Sequence, residues 1–205
     1  MPLNKNMTFA TADLFDHHAD QLQVCSPVFR DFGKETQFCG PIRTLKVFES
    51  FGITKSTLAT DGEDHILVID GGGSLRCAML GDKLAQLAID HNWKGIVLNG
   101  CLRDSAAISA LPIGIKALNT NPTRPSPEGD GRLDEPVYFA GVTFRPGHFL
   151  YADADGIVVS EKNLTKSPYR TDVRRSLSKH TLRQAVQRSN HGPTKKQQAF
   201  ATARY

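Results

Sequence analysis

The sequence predicts an α/β fold with parallel strand pairs, and two apolar runs with a helix between them carry the prediction. Residues 66–70 and 95–100 are short apolar stretches that end at glycines, as is typical of buried strands. Between them, residues 83–92 repeat apolar side chains at helical spacing. A succession of strand, helix and strand favours parallel pairing through a right-handed crossover.

Two elements are expected before this unit. Residues 11–16 have the signals of a helix start, because Thr11 can cap the helix and Asp13 lies in the first turn, near the positive end of the helix dipole. Residues 42–48 alternate apolar and polar side chains after the break at Gly40-Pro41, so they are expected to be extended.

Further elements are expected after the unit. We predict a short helix at residues 105–110 and a third strand at residues 113–118. Residues 119–136 hold four prolines and two glycines, which predicts a long irregular loop of the kind that is often functional. Beyond this loop we expect a strand at residues 137–143, a turn at residues 145–148 and a second strand at residues 157–159.

The composition fits a single globular domain. The chain has 205 residues, 40% of them hydrophobic. It contains no apolar run of about 18 residues that could cross a membrane, and residues 1–20 lack the apolar segment of a secretory signal. The four cysteines (Cys25, Cys39, Cys77 and Cys101) are not paired at metal or redox spacing. We therefore expect reduced thiols and an intracellular protein, in the cytoplasm first and in an organelle second.

The net charge of +4 hides an asymmetry between the two parts of the chain. Residues 162–205 contain 11 Lys and Arg and one acid, whereas residues 1–161 contain 14 Lys and Arg and 20 acids. We expect an acidic domain at residues 1–164 and a basic extension at residues 165–205, which is either helical in part, at 172–189, or disordered. Two interpretations of the extension stay open, a weak contact with RNA or another polyanion and a solvated tail.

The glycine run at residues 71–73 does not complete a nucleotide-binding motif. Gly71 and Gly73 fit the first two positions of the dinucleotide fingerprint, but Arg76 occupies the third, and the chain has no Gly-Lys-Ser/Thr motif. We interpret the run instead as a place where the backbone turns or passes close to another segment.

Gly81-Asp82 predicts the start of a helix. Glycine inside a helix costs about 1 kcal/mol relative to alanine, so the helix is expected to begin with Asp82 as its N-cap. The N–H groups of Lys83 and Leu84 would then be free to bind an anion such as a carboxylate at the positive end of the helix dipole. The alternative is an ordinary Asp cap without a ligand.

Arg103-Asp104 follows the second buried strand, and α/β proteins bind ligands at the carboxyl ends of parallel strands. Asp104 offers hard oxygen ligands, which suit Mg²⁺ or Mn²⁺. Arg103 can hold a carboxylate or carbonyl oxygen through its planar guanidinium group. The alternative is a pair that caps the next helix and forms a surface ion pair.

Taken together, these motifs resemble one protein family, which contains the regulator of ribonuclease activity A (RraA) and the 4-hydroxy-4-methyl-2-oxoglutarate aldolases. The resemblance covers residues 11–164 and implies a layered β/β/α domain of the RraA-like, swivelling-domain type. It also implies a homotrimer, or a hexamer of two trimers, with active sites near subunit interfaces. The matching segments are residues 71–78, 81–82, 99–104 and 151–156, with further matches at 11–16, 38–41 and 141–143.

The resemblance also implies which residues act. The family's aldolases carry an Asp and, after a gap of twenty residues, an Arg-Asp pair, whereas its ribonuclease regulators lack the metal-binding Asp. At that spacing, Asp104 would ligate a divalent metal, Mg²⁺ or Mn²⁺. The pyruvoyl end of a keto acid substrate would be bound by Gly81, Asp82, Lys83, Leu84 and Arg103.

We therefore predict a class II metal-dependent pyruvate aldolase, a lyase that cleaves 4-hydroxy-4-methyl-2-oxoglutarate or a related 4-hydroxy-2-oxo diacid. The metal would stabilise the enolate that cleavage leaves on pyruvate, and Arg103 would add positive charge at the oxyanion. Asp82 would orient a water of the metal that moves the proton of the 4-hydroxyl group. Oxaloacetate decarboxylation is expected as a side activity. The rival predictions are a non-catalytic regulator that binds an RNA-processing protein such as a ribonuclease, and a folded scaffold without activity.

Overall fold

A computed structural model describes residues 9–166 as a mixed α/β domain. The helices in this range are α1 (Thr11–His18), α2 (Gly52–Leu58), α3 (Asp82–Asp90) and α4 (Ser105–Ile108). The strands are β1 (Leu22–Val24), β2 (Arg30–Asp31), β3 (Phe38–Val47), β4 (Ile66–Leu80), β5 (Gly95–Leu102), β6 (Gly114–Thr120), β7 (Gly131–Leu133), β8 (Val137–Phe139), β9 (Val142–Phe144), β10 (Phe149–Ala152) and β11 (Ile157–Ser160).

Four parallel strands form the centre of the main sheet. β3, β4, β5 and β6 lie side by side in that order, with Ile42 opposite Ile66 and Gly95 opposite Gly114. The prediction of an α/β fold with parallel strand pairs is therefore confirmed. The apolar runs predict these strands because both faces of a parallel sheet are covered, and covered strands are rich in continuous Val, Ile and Leu.

Antiparallel strands extend the sheet on both sides of this centre. β10, β11 and β1 follow β3 on one side, and β2 pairs with β6 on the other. β7 pairs with the end of β3, while β8 and β9 form a separate two-stranded hairpin.

The sheet has an apolar core on each face. Successive residues of a strand point to opposite faces, so Leu67 and Ile69 join one core whereas Ile66 and Val68 join the other. The first core includes buried residues of α2, α3 and α4, and the second includes the apolar residues of the β8–β9 hairpin. The order of hairpin, sheet and helices agrees with the β/β/α layering that the family resemblance implies.

The glycine run does not end its strand, contrary to the prediction for residues 66–70. β4 continues to Leu80, and its register against β5 shifts three times after Asp70. Gly72 and Gly73 have φ angles of 66° and 69°, which glycine adopts without steric cost. The glycines therefore provide irregularities inside a long strand and not its boundary.

Other boundaries also differ from the predictions. Residues 119–136 are not wholly irregular, because they contain the end of β6 and the strand β7. Residues 137–143 do not form one strand, because Ala140 and Gly141 take positive φ angles of 49° and 76° and turn the chain into the β8–β9 hairpin. Helix α4 ends at Ile108, and helix α2 has no counterpart among the predictions.

A buried polar cluster ties helix α1 to the sheet. The carboxylate of Asp153 accepts hydrogen bonds from the backbone N–H and from Oγ1 of Thr11, both at 2.7 Å. The Asp153 carbonyl accepts a hydrogen bond from Lys116 Nζ, which also lies 2.9 Å from Asp31 Oδ1. Thr11 is thus the first residue of α1 and not its cap; the N-cap residue is Ala10. A distant carboxylate binds the helix terminus in place of a local cap.

All four cysteines are free and buried. Burial raises the pKa of Cys25 to about 12 and that of Cys39 to about 11, so neither thiol ionises near neutral pH. No helix within residues 9–166 combines the length and the apolar character that a bilayer crossing requires. The helix expected at residues 172–189 lies outside the described residues, and the domain division at residue 164 stays a prediction.

Candidate active site

The ends of β4 and β5 bring the two sequence motifs together. Leu80 and Leu102 are partners in the parallel ladder, and the Arg103 N–H donates a hydrogen bond to the Leu80 carbonyl oxygen at 3.0 Å. Gly81 and Arg103 therefore leave the sheet side by side, at the carboxyl edge of two parallel strands. Ligand sites of open α/β sheets lie at this edge.

Gly81 lies against the Asp104 side chain. A Cβ atom at position 81 would be 2.9 Å from Asp104 Oδ2 and 3.4 Å from Arg103 Cγ. The first distance is too short for van der Waals contact, so even alanine would displace the carboxylate. The φ angle of Gly81 is −138°, which any residue can adopt. Glycine at this position therefore leaves room for the Asp104 carboxylate in its present place, and the backbone conformation does not require glycine.

Asp104 has an uncommon backbone conformation. Its φ and ψ angles are 57° and 33°, in the left-handed region that aspartate tolerates better than most residues. Such conformations cost about 1 to 3 kcal/mol and cluster at functional sites. Asp104 stands at the N-cap position of α4, yet its side chain makes no capping hydrogen bond. The alternative interpretation of this carboxylate as a helix cap is therefore wrong.

The Arg103 and Asp104 side chains contact each other at the surface, so the ion pair expected in that alternative does exist. Arg103 Nε donates a hydrogen bond to Asp104 Oδ2 at 3.1 Å, and the side chains are 38% and 34% exposed. Ion pairs with this much solvent contact contribute at most about 1 kcal/mol to stability. The fold therefore gains little from the pair, and both groups remain accessible to a ligand.

Helix α3 begins differently from the prediction. Gly81 is its N-cap, and Asp82 is its first residue. Asp82 Oδ1 accepts the Lys83 N–H at 2.7 Å, and the Gly81 carbonyl oxygen accepts the Leu84 N–H at 3.1 Å. Both N–H groups that were expected to be free thus have partners within the chain. A substrate carboxylate would have to replace Asp82 at Lys83, and the assignment of this segment to substrate binding stays a prediction.

The donor set at this edge fits a hard cation that is held mainly by water and substrate. Within residues 9–166, no three His, Cys, Asp or Glu side chains gather into a metal cage. Mg²⁺ does not need one, because it binds through one or two carboxylates and keeps several waters. The exposed Asp104 can serve as such a carboxylate. Burial raises the pKa of Cys77 and of Cys101, so these nearby thiols do not offer soft thiolate ligands at neutral pH.

Sequence reasoning missed a residue beside this edge, Asn121. Its backbone N–H donates to the Leu102 carbonyl oxygen at 2.9 Å, and its Nδ2 donates to the Leu75 carbonyl oxygen at 2.8 Å. Asn121 falls in the segment that was predicted as an irregular functional loop. The Asn-Pro pair there signals a turn, but it does not reveal which strands the side chain reaches.

A second group that was missed accompanies the glycine run. Glu49 Oε1 accepts hydrogen bonds from Arg76 Nε at 2.7 Å and from Ser74 Oγ at 2.6 Å. The hydrogen bonds from Arg76 and Ser74, of which that from Arg76 has the larger effect, hold the pKa of the Glu49 carboxyl below its usual range. Arg76 therefore binds a carboxylate of the preceding loop and does not take part in a nucleotide-binding motif.

Comparison with known proteins finds a family model and a relative that match this chain. A model of the RraA-like family, described as Aldolase/RraA, matches residues 11–159. A relative from Aromatoleum aromaticum, provisionally named as a 4-hydroxy-4-methyl-2-oxoglutarate aldolase, is 48% identical over 158 residues. The matched region is 77% of this chain and 99% of that relative.

Two solved structures have a similar fold. One is described as an S-adenosylmethionine:2-dimethylmenaquinone methyltransferase from Geobacillus kaustophilus, with 45% identity, a TM-score of 0.76, and coverage of 78% of this chain and 99% of its own. The other is described as the RNA-processing inhibitor RraA from Thermus thermophilus, with 38% identity, a TM-score of 0.75, and coverage of 80% and 98%. Because the three relatives carry three different functional names, a function must be argued from the site.

Proposed function

The chain belongs to the RraA-like family, described as Aldolase/RraA, and on that premise we propose that it is a divalent-metal-dependent class II aldolase. Its substrate would be 4-hydroxy-4-methyl-2-oxoglutarate or a related 4-hydroxy-2-oxo diacid, and its product pyruvate. The observation that carries the proposal is that Gly81, Arg103 and Asp104 lie together at the carboxyl edge of β4 and β5. The provisional name of the relative from Aromatoleum aromaticum supports the substrate class.

Asp104 is the residue that would hold the cation, Mg²⁺ or Mn²⁺. Its carboxylate is partly exposed, and its left-handed backbone directs the side chain to Gly81 and not to the amides of α4. When bound, the cation supplies Lewis-acid stabilisation of the negative charge that carbon–carbon cleavage leaves on the pyruvate fragment.

Arg103 would hold the substrate and stabilise its developing oxyanion. The hydrogen bond from Nε to Asp104 fixes the guanidinium beside the carboxylate and leaves the Nη groups as donors for a substrate oxygen. Asp82 would orient the water that takes the proton of the 4-hydroxyl group. The backbone of residues 81–84 would receive the pyruvoyl carboxylate once Asp82 releases the Lys83 N–H.

The test is pyruvate release by the purified full-length protein with Mg²⁺ or Mn²⁺, with and without a chelator. We expect turnover of 4-hydroxy-4-methyl-2-oxoglutarate, slower decarboxylation of oxaloacetate, and loss of both reactions on chelation. The Asp104→Asn variant, which keeps the shape of the side chain and removes its charge, should be inactive under every condition. Activity that survives chelation, or that Asp104→Asn retains, would contradict the proposal.

A second candidate is a non-catalytic regulator that binds an RNA-processing protein such as a ribonuclease. The observation that favours it is the similarity to the Thermus structure described as an RNA-processing inhibitor. Adding the purified protein to an RNA-cleavage assay separates the candidates, because a regulator would act without Mg²⁺-dependent pyruvate release. For either function we propose an intracellular protein that assembles as a homotrimer or as a hexamer of two trimers, and light scattering would measure the size of the assembly directly.

A further inference from the structure

We infer that Asn121 is a positioning residue for the candidate active site. It joins the irregular part of β4 to the end of β5, and in this way it sets the distance between Gly81 and Asp104. The inference rests on the proposed function of this sheet edge. It assigns a role to a residue whose side-chain hydrogen bonds go to Leu75 and Thr123 and not to Arg103 or Asp104.

The backbone of Asn121 continues a row of hydrogen bonds across three strand ends. The Asn121 N–H binds the Leu102 carbonyl at 2.9 Å, and the next residue along β5, Arg103, donates its N–H to the Leu80 carbonyl at 3.0 Å. The ends of β4, β5 and β6 are thus linked in one line. The two accepting carbonyl groups belong to Leu102 and Leu80, and the next residues in the chain, Arg103 and Gly81, belong to the candidate site.

The side chain of Asn121 supports β4 where its ladder with β5 is interrupted. Three register shifts separate Asp70 from Leu80, so this stretch lacks the regular bonds of a parallel pair. Asn121 Nδ2 donates to the Leu75 carbonyl oxygen at 2.8 Å, and Asn121 Oδ1 accepts the Thr123 N–H at 2.7 Å.

The segment after Asn121 adds one more bond to the same stretch of β4. The Thr123 carbonyl oxygen accepts the Ala78 N–H at 2.9 Å, so the segment after β6 supplies a hydrogen-bond partner within the irregular part of β4. Backbone groups that lose their ladder partners must find others. Asn121 holds this exit segment in place through both its backbone and its side chain.

The end of β4 lies close to the Asp104 carboxylate. A Cβ placed at Gly81, the residue after β4, would be only 2.9 Å from Asp104 Oδ2, so a shift of the strand end would change the spacing between Gly81 and this carboxylate. A displacement of about 1 Å at a catalytic group can lower the rate by about 100-fold. A residue that anchors β4 therefore acts on the site without touching a ligand.

The experiment compares Asn121→Ala with Asn119→Ala in the full-length protein. Asn119 is a matched control because its Oδ1 accepts two hydrogen bonds at 2.9 Å, from Arg30 and from the Thr120 N–H, and it does not bind β4 through its side chain. The measurements are hydrogen–deuterium exchange in residues 75–84 and 99–108, Mn²⁺ affinity by electron paramagnetic resonance, and kcat and KM for pyruvate release.

For Asn121→Ala we expect faster exchange in both segments, weaker Mn²⁺ binding, and a kcat lower by at least about tenfold, with a smaller change in KM. Asn119→Ala should leave all of these values near those of the wild type. Unchanged exchange in residues 75–84 and 99–108, or equal effects of the two substitutions, would overturn the inference.

A second variant keeps the inference testable if Asn121→Ala does not fold. Asn121→Asp retains an acceptor for the Thr123 N–H but puts an oxygen against the Leu75 carbonyl, so exchange should rise in residues 75–84 more than in residues 119–124. The reverse order would overturn the inference. If the wild-type protein released no pyruvate while exchange and Mn²⁺ affinity responded as expected, the proposed function would fail and the positioning role of Asn121 would stand.

Discussion

Two ion pairs of this domain differ in the burial of their basic partner. Arg103 and Asp104 are neighbours in the chain, and their side chains are 38% and 34% exposed. Lys116 and Asp31 are 85 residues apart and pair across the strands β6 and β2, where the Lys116 side chain is only 3% exposed. The first pair lies beside Gly81, whereas in the second pair the buried Lys116 also donates a hydrogen bond to the Asp153 carbonyl oxygen.

The difference shows that the surroundings of a charge decide whether it stabilises the fold or remains available for chemistry. The attraction between Arg103 and Asp104 is screened by solvent, and the left-handed conformation of Asp104 is itself unfavourable. Lys116 has given up hydration, so its charge needs both the Asp31 carboxylate and the Asp153 carbonyl oxygen. We expect substitutions to act on activity in the first region and on stability in the second.

The largest effect is expected from Asp104→Ala. Loss of the carboxylate that would hold the cation should reduce kcat/KM for pyruvate release by at least about 1,000-fold, or roughly 4 kcal/mol. The free energy of unfolding should change far less, because the exposed ion pair contributes little. Urea unfolding followed by circular dichroism, beside the assay after chelation and metal re-addition, checks both statements. Wild-type turnover in this variant would remove Asp104 from the site.

Lys116→Met should show the opposite pattern. Removing the buried partner of this pair leaves Asp31 and the Asp153 carbonyl without their shared donor, so we expect a loss of about 2 to 4 kcal/mol in the free energy of unfolding. This range is below that of a fully buried pair because the Asp31 side chain is 31% exposed. Activity per folded molecule should be retained.

A double variant is the control for Lys116→Met. Adding Asp31→Leu removes the carboxylate that the first change leaves unpaired, so part of the lost stability should return. If Lys116→Met instead lowered specific activity at unchanged stability, the division of the two regions into stability and chemistry would be wrong.

Arg103→Lys tests whether charge alone is enough in the exposed pair. Lysine keeps the positive charge but loses the planar group that meets two oxygens at once. We expect kcat/KM to fall by at least about tenfold, which corresponds to roughly 1.4 kcal/mol, with no measurable loss of stability. Steady-state kinetics identical to the wild type would mean that the guanidinium does not contact the substrate.

The smallest effect on activity is expected from deleting residues 167–205. Every residue assigned to chemistry precedes this segment, so kcat/KM should stay within about twofold of the wild type, a difference below about 0.5 kcal/mol. Retention on heparin, or binding to RNA, should be lost together with its steep dependence on salt, because the segment carries most of the basic excess. Size-exclusion chromatography beside the assay shows whether the assembly is preserved. Lower activity in an intact assembly would place a catalytic group in the deleted segment.

The sequence predicted the central strands because their pattern is local. Residues 66–70 and 95–100 are apolar on both faces, and α3 repeats its apolar residues at helical spacing, so neither prediction depends on distant partners. Helix α2 was not predicted because its seven residues include a glycine and two threonines, which are weak helix formers. The glycine run predicts the end of a strand, and this prediction is wrong because composition does not distinguish an irregular strand from a turn.

The residues of the candidate site were predicted from the sequence, but their contacts were not. Chain order and parallel pairing are enough to bring Gly81 and Arg103 to the same edge. The contact of Gly81 with Asp104 also depends on three register shifts in β4, and the left-handed conformation of Asp104 has no signal in residue order. The network around Lys116 joins elements that are far apart in the chain, so local patterns could not reveal it.

The central claim is that Asp104 and Arg103 together form a site for a divalent cation and a keto acid. A crystal structure of the full-length protein with Mg²⁺ and pyruvate tests it most directly. We expect the cation at the Asp104 carboxylate, with pyruvate between Arg103 and the first residues of α3, and the Asp82 carboxylate moved away from the Lys83 N–H. Cation and pyruvate bound together at another place, with the Arg103–Asp104 contact unchanged, would contradict the claim.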